Sequence, residues 1–413
     1  MSRPSSLFFL FAALAPLGTA GCYLNDSLDP LAGLTIVGDD PTDLPLANAT
    51  DAERTLFAKG DARFDGVFRE VDGLGPLYIR QACASCHEAG GRGPGAVQKM
   101  AIVEADGVTP AADQSALPHG HTSRPFMAGG AVTPIAPPDV PGLKISSRIG
   151  PPVFGRGYME AILESEIVRL EAEQSQRDDE IHGRINRVIF RSKANPDQSY
   201  HAYVEGQENL IGRFGYKARQ PTLDDFTADA YQGDMGITSP MRPVEPPNPD
   251  GLTDDGKDGV DIDLEIVNLV ADYVRLVEIP KRELPEGNGA ALFAEARCDV
   301  CHTPSLRTSS AYPISALAGI DAPVYTDLLL HDMGDLLADG LVDESAESRW
   351  WKTAPLIGLR HLNAYMHDGR AVTLEAATLA HEGPGSQAND SVARFRALSA
   401  ADRKALLDFV GAL

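Results

Sequence analysis

"GNGAALFAEARCDVCH", residues 287–302, has Gly and Phe293 leading a short predicted helix that runs straight into Cys298, Cys301 and His302 in the spacing Cys-x-x-Cys-His. The same pentad stands earlier, in "QACASCHEAGGRGPG", residues 81–95, as Cys83, Cys86 and His87. With five cysteines and ten histidines in 413 residues, one such pentad arises by chance about once in a thousand sequences, and two about once in a million. A redox dithiol, a zinc knuckle and a haem attachment site all use a Cys-x-x-Cys pair. A zinc site has no need of a His directly after the second Cys both times, whereas covalent haem does. The two thiols add to the porphyrin vinyl groups and the adjacent His is placed under the iron as its proximal ligand. Both pentads are therefore read as sites of covalently bound haem c, with His87 and His302 as the proximal ligands. Thioether sulfurs cannot exchange, so the dithiol reading falls with this assignment.

The fifth cysteine, Cys22, closes a stretch with the marks of an export signal. "MSRPSSLFFLFAALAPLGTAGC" has Arg3 in a short positive start, an apolar run from Leu7 to Leu17, and Thr19, Ala20 and Gly21 before Cys22. It resembles a bacterial lipoprotein signal, with Thr where Leu is usual in the lipobox. That resemblance implies removal of residues 1–21 and a lipid on Cys22; plain cleavage leaving a free thiol is the other reading. The apolar run is too short to span a bilayer, and no later run approaches the roughly eighteen apolar residues of a transmembrane helix. The expected location is the periplasm, anchored by lipid to a bacterial membrane, the outer membrane in preference. Haem c is attached on the outer side of the bacterial inner membrane, which agrees with export.

A net charge of −23 argues against nucleic acid and anionic surfaces as partners and suits a basic redox partner, although solubility alone accounts for it equally well. With 43% hydrophobic residues the chain can bury the cores of two or three domains. Residues 22–52 lack periodicity and read as a tether. Helical patterning begins in "AERTLFAKGDARFDGVF", residues 52–68, and returns in "YMEAILESEIVRLEAEQSQ", residues 158–176, and "LEIVNLVADYVRLV", residues 264–277. Residues 104–143 are expected as loop. The acidic run "PVEPPNPDGLTDDGKDGVDID", residues 243–263, misses the EF-hand spacing and reads as a solvated loop.

The chain ends in "SAADRKALLDFVGAL", residues 399–413, an amphipathic pattern with Leu406, Leu407, Phe409 and Val410 on one side. Together with residues 287–302 this resembles the cytochrome c fold, in which the first and last helices cross beside the haem; the helix ending near Val277 would close the first half in the same way. The expected fold is mostly α: two cytochrome c-like haem domains with long connecting loops, an N-terminal one over residues 53–280 and a C-terminal one over residues 281–413. No β-rich stretch competes with that expectation.

Beyond the pentads, "GLGPLYIRQACASCHEAGGRG" (73–93), "RIGPPVFGRGYMEAI" (148–162), "GRFGYKARQPTLDDF" (212–226), "DMGITSP" (234–240), "LLLHDMGDLLADG" (328–340) and "KTAPLIGLRHLNAYMHDGRAVTLEAATLAHEG" (352–383) resemble the bacterial di-haem cytochrome c peroxidase superfamily, and within it the di-haem oxidoreductase or "thiol oxidoreductase" branch. They cover most of residues 70–413. In that superfamily the second haem's distal ligand stands fourteen residues beyond the His of a Y-x-H-x-G turn. Here the turn is "YMHDG" with His367, and His381 occupies the ligand position, where the peroxidases have Met. The resemblance thus implies a His302/His381 pair on the second haem and leaves His367 to orient a neighbouring group or a haem propionate. It supplies no distal ligand for the first haem; His119, His121, His182, His201, Met100 and Met127 all lie in that half. It also places Glu160, of "GYMEAI", where acidic chemistry beside the distal pocket is expected, as a general acid–base that moves a peroxide proton. His331 and Asp332 of "HDMG" are a hallmark of the branch without a role that the sequence explains. Trp350 and Trp351 are candidates either for an electron relay or for aromatic packing. Relatives hold calcium between their halves, but the context of the turn is changed here to "LNAYMHDG", so calcium is a secondary candidate.

The expected function is an exported di-haem oxidoreductase of peroxidase type, its second haem relaying electrons to or from a reactive first haem, with a small redox protein or a quinol-chain cytochrome as partner. The alternative is a di-haem electron-transfer protein with no substrate of its own; a haem subunit serving a metal-uptake or peptidase system is a third. With four cysteines committed to haem and Cys22 to lipid, no thiol remains for thiol oxidation.

Overall fold

The computed structural model describes residues 40–87, 96–253 and 257–413; the expected signal segment, Cys22 and most of the expected tether lie outside them. Nine helices are present among the described residues, with 30% helix and 14% strand. The expectation of a mostly α chain is therefore corrected to a helical fold with much irregular backbone and short β-pairs. The described residues form one compact unit, and one apolar core runs through both expected domains.

The same local arrangement occurs twice. Helix α1 (Asp51–Phe64) starts at Thr50, whose hydroxyl accepts the Glu53 amide while the Glu53 carboxylate accepts the Thr50 amide, a reciprocal cap. It crosses α5 (Leu264–Leu276), which is capped by Asp263 and buries Val267, Val270, Ala271, Tyr273 and Val274. At the crossing, a Cβ on Gly60 would lie 2.5 Å from Tyr273 Cβ and 2.6 Å from Leu269 O, so only glycine allows the approach. In the second half α6 (Gly289–Glu295) crosses α9 (Ala400–Gly411), and a Cβ on Gly289 would lie 2.5 Å from Ala405 O. Four residues after each glycine comes the phenylalanine that faces the pentad histidine: Phe64 to His87 at 6.1 Å and Phe293 to His302 at 6.5 Å between ring centroids, both at 53°.

The remaining helices fill between these pairs: α2 (Arg156–Ala161), α3 (Glu164–Ser175), α4 (Leu223–Met235), α7 (Leu374–Leu379) and α8 (Asn389–Ala397). The single helix expected over residues 158–176 is broken. Ile162 and Leu163 are extended, the Leu163 amide donates to Arg307 O at 3.0 Å, and Arg213 Nη1 takes the carbonyls of Met159 and Ile162 at 2.9 and 2.7 Å. Tertiary partners for the backbone there outweigh helix propensity. The largest departure is an antiparallel ribbon, Ala96–Ile102 with Leu143–Ile149, in register Met100↔Ile145. It encloses the expected loop and carries a small separate core of Leu77, Met100, Leu117 and Ile135. A second short pair joins Leu330–Asp332 to Trp350–Lys352.

Candidate functional site

Each pentad forms one tight turn closed by the same bond: the His87 amide donates to Cys83 O at 3.0 Å, and the His302 amide to Cys298 O at 2.9 Å. Each histidine then places its Nδ1 on a carbonyl, Pro151 O at 2.6 Å for His87 and Tyr325 O at 3.2 Å for His302. An Nδ1–H held in this way leaves the Nε2 lone pair for a metal. Burial pushes both imidazoles down to about 4, so they stay neutral, the state that ligation needs. Burial likewise pushes the thiols up, Cys83 and Cys298 to about 12 and Cys86 to about 11. Thiols so far from thiolate are unsuited to disulfide exchange.

One continuous cavity of about 740 Å³ is lined by both pentads and by His381. His381 follows α7, which Thr373 caps, and its Nδ1 lies 2.7 Å from Ala377 O, again leaving Nε2 free; burial pushes its imidazole below the usual value. Its ring lies 6.5 Å from the His302 ring between centroids, at 66°. Two imidazoles bound on opposite sides of one metal through bonds of roughly 2 Å need a separation of that size. The residues at the second pentad thus fit a haem iron held between two histidines.

The first pentad lacks such a pair. Among the described residues no second histidine ring faces His87 as His381 faces His302. Of the six residues that the sequence offers there, only His121 lines the cavity. Met100 is buried in the separate ribbon core, Met127 is exposed, His201 is held 2.9 Å from Asp224 and His182 Nδ1 lies on Gln174 O. The wall on this side is α4, whose Leu223, Phe226, Thr227, Ala230, Tyr231 and Asp234 recur at helical spacing along the cavity.

Glu160 is placed elsewhere. It does not line the cavity; its oxygens take Arg275 Nε at 2.6 Å, the Tyr312 hydroxyl at 2.7 Å and the Leu223 amide at 2.7 Å. The carboxylate expected beside the distal pocket is thus a buried counter-ion for the fully buried Arg275, and Asp229 and Asp234 are the acidic groups on the α4 wall. Asp229 is paired with Arg219 and Arg242, while burial pushes the Asp234 carboxyl above the usual range. The alternation of apolar and acidic positions in "LDDFTADAYQGDM" carried this signal.

His331 is buried with Nε2 2.9 Å from Asp327 Oδ2, Nδ1 2.9 Å from Gln387 Oε1 and Cys301 Sγ at 3.7 Å. It braces the second attachment turn. Among the described residues Cys301, Asp327 and His331 are the one group of three metal-type ligands; with one carboxylate it is no calcium set. Trp351 stacks on His367 at 3.9 Å and both line the cavity, whereas Trp350 stacks under Arg184 at 3.5 Å.

The family model described as "Di-haem oxidoreductase, putative peroxidase" matches residues 139–413, and the chain belongs to the di-haem oxidoreductase family. The matched part contains Pro151, the second pentad and His381; the first pentad precedes it. No curated protein matches the chain. Among solved structures, hydrazine synthase of Kuenenia stuttgartiensis, pressurised with 20 bar xenon, is similar at 13% identity and a TM-score of 0.37, with both chains covered in full. No helix among the described residues is long and apolar enough to cross a membrane.

Proposed function

We propose that this member of the family is an exported c-type di-haem oxidoreductase of peroxidase type, with two cytochrome c-like halves, each holding one haem through its pentad. The observation that carries the reading is the asymmetry of the cavity: a facing His302/His381 pair at 6.5 Å on one side, and no such pair at His87 among the described residues. Bound haem supplies electron storage and, where a coordination position is open, a place for peroxide to be reduced. This chain's residues do the rest. His302 and His381 close the second site and make it a relay; His87 holds the first with its far side left to the α4 wall. There Asp234, whose carboxyl burial pushes above the usual range, is the proton donor in place of Glu160. The overall change is hydrogen peroxide plus two electrons and two protons to two waters, the electrons coming from a small basic redox protein or a quinol-chain cytochrome. Lipidation of Cys22 and attachment to the outer membrane complete the proposal; no observation adds calcium to it.

Steady-state peroxide reduction by the holoprotein, with a reduced small cytochrome as donor, tests this reading. Asp234→Asn should slow it by about 10²-fold, the lower end of general acid catalysis, with haem content unchanged. A wild-type holoprotein inert to peroxide would make the chain an electron carrier instead.

A further inference from the structure

Eight arginine and lysine side chains line the haem-motif cavity against three aspartates, in a chain of net charge −23. Several of these cations have clear partners: Arg148 lies on Asp339 at 2.5 Å, Arg219 on Asp229, Arg124 on Gly233 O at 2.9 Å, and Lys99 on Thr122 Oγ1 at 2.6 Å. Lys352 differs. It ends the strand Trp350–Lys352, and the one acceptor its Nζ reaches among the described residues is Thr353 O at 3.5 Å, the limit of hydrogen bonding. Burial, and then the neighbouring Arg156 charge, push its ammonium down to about 7. Arg156 lines the same cavity, with Nε donating to Pro152 O at 2.7 Å.

The place of this pair in the fold matters. Arg156 follows Pro151, whose carbonyl holds His87. Lys352 precedes Thr353, whose carbonyl takes the Thr326 hydroxyl at 2.7 Å, next to Tyr325, whose carbonyl faces His302. The two cations therefore stand where the anchors of the two pentads come together. An ammonium buried without a counter-anion is disfavoured, and among the described residues no carboxylate bonds to it.

We infer that Lys352, with Arg156 beside it, is a carboxylate-binding site for haem propionate, set between the two pentads. The inference rests on the di-haem reading and goes beyond it. Two haems bring roughly four propionate charges, and the cavity lining carries more cationic than acidic side chains, a match in sign. A lysine-to-carboxylate bond is charge-assisted and holds its geometry. A positive charge so placed also favours the reduced, more negative haem.

The test uses holoprotein carrying Lys352→Met, Lys352→Gln or Lys352→Arg. Covalent haem is measured by pyridine haemochrome, and both midpoint potentials by spectroelectrochemical titration from about pH 5 to 9. Haem content should be unchanged. In Lys352→Met and Lys352→Gln one potential should fall and gain a pH dependence as the released propionate titrates; Lys352→Arg should restore both features. Haem retained with unmoved potentials and pH profiles overturns the site alone. If added inorganic phosphate moves the wild-type potential but not that of Lys352→Met, the site serves a free anion and the propionate assignment falls. A wild-type protein without covalent haem overturns the di-haem reading and this site with it.

Discussion

In the proposed reading, His381 is the side chain that sets the character of the second haem site. Imidazole is a stronger donor to ferric iron than a thioether, so a His302/His381 pair lowers the second potential relative to a His/Met pair in the same scaffold. His381→Met should raise that potential by a substantial part of the ~0.8 V that axial ligands span, read by the same redox titration, with haem content kept because attachment depends on Cys298, Cys301 and His302. No change in potential or spin state would mean that His381 is not a ligand. Glu160 makes the complementary case. It holds the Arg275 guanidinium, which is wholly buried, and breaking a buried pair from one side costs roughly 3–5 kcal/mol. The low end applies, since Asp272 remains 2.9 Å and Asp224 3.7 Å from Arg275. Glu160→Gln should therefore lose about 3 kcal/mol in denaturant unfolding and leave peroxide reduction by the folded protein near wild type. A large kinetic loss without a stability loss would return Glu160 to the chemistry.

At the scale of elements, the helix crossings depend on two glycines. Gly60→Ala or Gly289→Ala must move a backbone carbonyl at 2.6 or 2.5 Å, an overpacking cost of about 1–3 kcal/mol, visible as a lower melting temperature. The α1–α5 crossing also carries a pH signature. Burial first, and the charges of Asp43 and Asp65 next, push Asp61 from 3.8 up to about 7. Its folded value lies above the unfolded one, so the native state keeps a proton that the unfolded chain releases, and stability falls as pH rises through that window. Asp61→Asn should melt higher than wild type at pH 8 and nearly the same at pH 4; equal shifts at both would remove Asp61 as the cause. These elements were legible to different degrees. The amphipathic α5 and α9, and the glycine and phenylalanine leading into Cys298, announce themselves by period. The strands Ala96–Ile102 and Leu143–Ile149 did not, because their partners lie more than forty residues apart, with proline and glycine between. The break between α2 and α3 arises from Arg213 and Arg307, which no local pattern contains.

For the whole molecule, the family and the candidacy of His381 came from the resemblance of several stretches to a known superfamily, whereas the two pentads could be read from spacing, since covalent attachment would fix Cys, Cys and His within one turn. The position of Glu160 could not, because only tertiary packing decides whether a carboxylate faces a cavity or an arginine. The same holds for Lys352, to which no carboxylate among the described residues bonds, a property of the assembled cavity. The holoprotein should carry two haems per chain that survive acid–acetone extraction; loss of either contradicts its pentad assignment. The central claim is that one haem is closed by two histidines and the other open. Carbon monoxide titration of the dithionite-reduced holoprotein, followed in the Soret band, tests it most directly. The account predicts one carbon monoxide bound per chain, hence per two haems, rising to two in His381→Ala. Binding of none or of two by the wild-type protein would contradict it.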